Sequence, residues 1–208
     1  MKKNPLVIEM TVSEENETGV DLISFVENPA IEVDFMYFSK EQKREAFKTT
    51  DEEKRIVTGA AMIPDEKIVR VDEKGEEYFV FFSEDTIRLC NEMYFKQGKN
   101  VGSNLEHETP IDGVTVVESW LIEDSKIDKA VALGFKDLPK GTWMVSYKKD
   151  NDEVLAKIKS GEVLGFSVEG MFGQKPSKFT VNDLETILDS DLTKDEKKAL
   201  IKSQMEQK

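Results

Sequence analysis

The sequence is short of the residues that most often carry chemistry, with one cysteine and one histidine in 208 residues. A lone thiol, Cys90, cannot close an internal disulfide and has no companion ligands for a metal. A reducing, cytoplasmic setting without a metal or other cofactor is therefore expected. No apolar run approaches the roughly 18 residues that cross a bilayer. The opening MKKNPLVIEMTV has two lysines but neither a long apolar stretch nor a small-residue cleavage site, so it is expected to be a first strand rather than an export signal. Positive charge is also scarce: 29 Lys and Arg face 42 Asp and Glu, for a formal net charge of -13. With no basic stripe to offset phosphate repulsion, no nucleic-acid or membrane partner is expected.

Hydrophobic residues make up 38% of the chain and include 12 Phe, enough to build the core of one domain. Short apolar runs separated by turn residues recur, as in a barrel or sandwich. They are Leu6 to Val12, Val20 to Val26, a further candidate at Val33 to Phe38, then RIVTGAAMI, IVRV and EYFVFF, broken at Pro64-Asp65 and Gly75. Lys40 to Lys54 is heavily charged and reads as a solvated linker or exposed helix. Ser83 is placed to cap a helix in which Ile87, Cys90 and Tyr94 share a face and after which Gly98 stops the run. GVTVVESWLIED and GTWMVSYKK read as strands, NDEVLAKIKSG as a short helix ended by Gly161, and EVLGFSVEGMF as a strand. From Thr180 the pattern turns helical, and Thr193 with Glu196 has capping-box spacing. The organisation expected is a main domain over 1–178 and a helical C-terminal extension over 179–208.

Three residues invite a chemical reading. If a histidine base operates here it must be His107, in the polar, turn-rich segment SNLEHETPIDG; alone, such a histidine is better explained by an ordinary surface position. Strict strand alternation places Val114, Val116, Glu118, Trp120 and Ile122 on one face. Glu118 would then be a carboxylate on an apolar face in need of a cationic partner, unless a bulge or an open edge intervenes. Glu106, Glu108, Glu123 and Asp124 are alternatives that solvation explains one by one. In GFSVEG, the residues Leu164, Phe166 and Val168 should face the core while Gly165, Ser167 and Glu169 face away. Glu169 stands where the last glycine of a G-x-S-x-G elbow belongs, which argues against an α/β-hydrolase.

Taken in order, VDLISFVENPAI, RIVTGAAMIPDEKIVR, LEHETPIDGVTVVESWLIED, LPKGTWMVSYKKDNDEV and IKSGEVLGFSVEG resemble the XkdF-like branch of phage prohead serine proteases, from about Asp21 to Gly170. The resemblance implies an α+β fold like that of herpesvirus assemblins, mainly an antiparallel β-barrel flanked by helices. It implies a serine endopeptidase of the immature capsid in the bacterial cytoplasm, with scaffold and major capsid proteins, and the protease itself, as substrates. A homo-oligomer is compatible with it. Ser167 matches the family's nucleophile and His107 its general base. Herpesvirus enzymes use a second histidine, which this chain lacks, so a carboxylate is expected third, and Glu118 is the choice. The competing readings are a catalytically silent capsid-assembly scaffold on the same fold and, last, a small-molecule esterase or amidase.

Overall fold

The computed structural model describes residues 6–26 and 48–176, apart from residues 17, 52, 53, 73 and 137. The candidate strand at 33–38, most of the charged segment 40–54 and the C-terminal extension expected over 179–208 lie outside the described residues. In chain order the elements are β1 (Val7–Thr11), β2 (Gly19–Val26), β3 (Lys48–Asp51), β4 (Ile56–Met62), β5 (Ile68–Val71), β6 (Glu77–Phe82), α1 (Glu84–Lys96), β7 (Val101–Leu105), β8 (Thr109–Leu121), α2 (Lys129–Ala132), β9 (Trp143–Lys149), α3 (Asp152–Ser160), β10 (Gly165–Met171) and β11 (Gly173–Pro176). Among the described residues no helix is long and apolar enough to cross a membrane.

The fold is α+β and strand-rich, as expected, and its strands form two curled sheets where a mainly antiparallel β-barrel flanked by helices was expected. One sheet has the order β11-β1-β6-β5, the other β10-β2-β7-β8-β9-β4-β3. Most neighbours are antiparallel, but β1 pairs with β6 and β2 with β7 in parallel. A parallel pair cannot be closed by a hairpin, so the chain must cross over between the two strands. The larger sheet bends until its β10 edge packs near β4, giving a half-barrel.

The signals for α1 and α3 translate directly into caps. Ser83 accepts from the Thr86 N–H, and Ile87, Cys90 and Tyr94 turn their buried face to the main core. Burial pushes the Cys90 thiol up to about 12, so it is a packing residue and not a nucleophile. Asn151 caps α3 by accepting from the Glu153 and Val154 N–H groups, and Gly161 leaves the helix in the left-handed region with φ 75°. That exit feeds the chain into β10.

β8 departs from the expected alternation. Val116 pairs with Tyr147 and Glu118 with Ser146, so Val117 is an extra residue in a β-bulge. Before the bulge, Val114 and Val116 face the main core. After it, Leu121 takes that face, while Trp120 and Ile122 turn to a second cluster with Ala60, Ala130, Phe135, Leu138 and Met144. One inserted residue therefore carries Glu118 to the opposite face from Val114.

Candidate functional site

The site forms where β10, β2 and β7 lie side by side. Phe166 pairs with Phe25 across β10 and β2. The two rings meet edge to face at 5.2 Å, with Tyr147 at 5.1 Å from Phe25 and 5.3 Å from Phe166. Each ring contact adds about 0.5–1.5 kcal/mol beyond its buried area. Because strand side chains alternate, anchoring Phe25 and Phe166 in the core turns their neighbours Ser24 and Ser167 to the other face. Ser24 and Ser167 are directly opposite each other, which sets their Cβ atoms about 5 Å apart. Ser24 is fully buried and Ser167 is 3% exposed.

Glu169 follows Ser167 by two positions, on the same face and about 7 Å further along the strand. The β10/β2 register slips between Glu169 and Gly170. A Cβ on Gly170 would stand 1.9 Å from the Gly19 carbonyl oxygen, so only glycine lets the two backbones meet there.

His107 arrives on a tight turn. SNLEHETPIDG, expected as a loop, is a β-hairpin: Asn104 pairs with Pro110 and Leu105 with Thr109. The Glu108 N–H donates to the Leu105 carbonyl at 3.0 Å, and the two central residues, Glu106 and His107, have φ of 51° and 61°. This is the backbone of a type I′ turn, which favours Asn-Gly. Each side chain held in this region costs on the order of 1 kcal/mol. The Glu106 N–H also donates to the Phe25 carbonyl at 3.0 Å, tying the turn to β2. Glu106→Asn is accordingly expected to stabilise the protein by about 0.5–1 kcal/mol, a rise of about 1–4 °C in Tm by calorimetry. An unchanged or lower Tm would show that the turn is not strained by Glu106.

The side chains converge on one oxygen. Glu169 Oε1 lies 2.7 Å from His107 Nδ1, accepts from Ser24 Oγ at 2.6 Å and accepts from Asn104 Nδ2 at 2.8 Å. Ser24 Oγ is also 3.1 Å from His107 Nδ1. Desolvation of Glu169 pushes its pKa up, but the hydrogen bonds from Ser24, Asn104 and His107 together outweigh it and hold the carboxyl below its ordinary value. Glu169 thus stays ionised at neutral pH beside the imidazole.

Glu118 is not part of this group. It pairs with Lys129 and accepts from Ser146 Oγ at 3.0 Å, and these partners, Lys129 first, hold its pKa down. It sits nine residues along β8 from Thr109, on the order of 25 Å of strand away from the hairpin turn. The carboxylate at the imidazole is Glu169. Its sequence signal was its place two residues after Ser167 on the same strand face. Asn104 and Ser24 had no comparable signal.

No curated protein and no solved structure matches the chain. Residues 43–175 match the family described as "Putative phage serine protease XkdF". That span takes in Asn104, His107, Ser167 and Glu169 and covers more than half of the chain, so the protein belongs to the XkdF family of phage serine proteases.

Proposed function

We propose that the protein is a serine endopeptidase of phage prohead maturation, with Ser167 as nucleophile, His107 as general base and Glu169 as the carboxylate that orients it. The observation that carries this reading is the 2.7 Å approach of Glu169 Oε1 to His107 Nδ1, on the strand that also bears Ser167. A carboxylate at Nδ1 fixes the imidazole so that its other nitrogen, Nε2, takes the proton of the attacking hydroxyl. Ser167 Oγ then attacks the scissile carbonyl, and the imidazolium formed is stabilised by Glu169 before it protonates the leaving amine. Ser24 lies on the Nδ1 side and donates to Glu169, which suits a supporting hydroxyl better than a nucleophile. The chemistry requires no cofactor.

The substrates proposed are the scaffold and major capsid proteins, cut inside the immature capsid in the bacterial host. The second reading, a silent assembly scaffold, draws on the burial of Ser167 at 3% exposure. Co-expression of the chain with the capsid and scaffold proteins of its own phage, followed by intact-mass analysis, separates the two. Discrete fragments are expected. Co-assembly of uncut proteins would move the assignment to the scaffold.

A further inference from the structure

The hydrogen-bond pattern around Glu169 determines more than proximity. Ser24 has one hydroxyl proton and two neighbours that could take it, Glu169 Oε1 at 2.6 Å and His107 Nδ1 at 3.1 Å. If that proton went to Nδ1, two unprotonated oxygens would face each other at 2.6 Å, one of them anionic. The proton therefore belongs on the Glu169 side, and Nδ1 must itself carry a hydrogen, directed at Glu169 Oε1 and the Ser24 lone pair. Asn104 can be oriented in only one way as well. Its amide NH₂ has to face the carboxylate, since the reverse orientation would set Oδ1 against Glu169. In that orientation Oδ1 is buried with no hydrogen-bond partner among the described residues. Leaving a buried acceptor stranded in this way is destabilising. The structure tolerates that cost while presenting the other end of the side chain to Glu169.

We propose that Ser24 and Asn104 are positioning residues that clamp Glu169 Oε1 and thereby commit His107 to the tautomer with hydrogen on Nδ1, leaving Nε2 as the proton acceptor. The assignment of His107 as general base underlies the catalytic consequence, but the tautomer itself can be read without any turnover. Ser24 lies outside the residues that match the family, so the clamp joins a residue of that span to one that precedes it.

Because the chain has one histidine, ¹⁵N-histidine labelling of the 208-residue chain gives imidazole nitrogen signals that need no assignment. The wild type is expected to show a dominant Nδ1–H form at neutral pH. In Ser24→Ala and in Asn104→Leu the Nε2–H form, which free histidine favours, should rise several-fold, and more so in the double variant. On any peptide that the wild type cuts, kcat should fall about 10- to 100-fold with KM within about twofold, as for other losses of a histidine's supporting partners. Asn104→Ala serves as the second variant if leucine prevents folding. Imidazole signals identical to wild type in both single variants would overturn the clamp. A tautomer shift in a protein whose wild type cuts nothing would leave the clamp standing and remove the protease reading instead.

Discussion

With Ser167 as the proposed nucleophile, Ser167→Ala is expected to lower proteolysis by about 10⁶-fold, to the limit of detection, as loss of the nucleophile does in serine hydrolases. The substitution removes a single oxygen from a buried strand position whose neighbours Phe166 and Val168 are held in the core. The fold should therefore survive with a stability change of about 1 kcal/mol. The decisive comparison runs against Ser24→Ala. An active-site phosphonylating probe should label the wild type and Ser24→Ala on Ser167, mapped by peptide mass, and leave Ser167→Ala unlabelled. Ser24 and Ser167 are paired across two strands, so an adduct on Ser24 would exchange the roles of the two hydroxyls.

Glu169→Gln should cost about 10⁴-fold in kcat, the scale on which neutralising a triad carboxylate acts. Glutamine keeps the shape of the side chain but loses its charge and one of its two acceptor oxygens. It would bring either an NH₂ or a single neutral oxygen to a point where Ser24, Asn104 and His107 all donate. Glu118→Gln, by contrast, is expected to leave kcat within about twofold of wild type, because its partners are Lys129 and Ser146. Equal losses in the two variants would return Glu118 to the catalytic group. A pH scan of stability adds an independent check. The folded-state pKa of Glu169 is depressed, so its ionised form contributes stability that is present above the ordinary carboxylate range and is lost as pH falls through the folded value. Glu169→Gln removes that contribution at neutral pH and flattens this part of the acid transition.

The parts of the site differed in how readily the chain disclosed them. The histidine could be singled out by residue type because it has no rival, whereas Ser167, by its local pattern an ordinary strand serine, was reached only through the family resemblance. Glu169 was within reach, two positions beyond Ser167, but nothing local says that an outward carboxylate will meet a hairpin from elsewhere in the chain. Ser24 is one polar residue inside the apolar run LISFV, and its meaning lies wholly in the strand paired with it. Asn104 was hidden because a type I′ turn built from Glu106 and His107 lacks the Asn-Gly that normally announces a hairpin. Glu118 was misplaced for a related reason: the bulge at Val117 has no composition of its own, and a single extra residue reverses every side chain after it.

The position of the first two strands has a consequence for how this protein can be divided. β1 lies between β11 and β6, and β2 between β10 and β7. The span that matches the family starts at residue 43, after both of them. A protein trimmed to that span would lose an interior strand from each sheet, not a terminal appendage, and β10 would be left without the neighbour that aligns Ser167 and Glu169. Such a fragment is expected to be insoluble or unfolded by circular dichroism, and to recover only when residues 6–26 are restored. What family resemblance delimits in this chain is a stretch of shared sequence, whereas the unit of cooperative folding begins earlier.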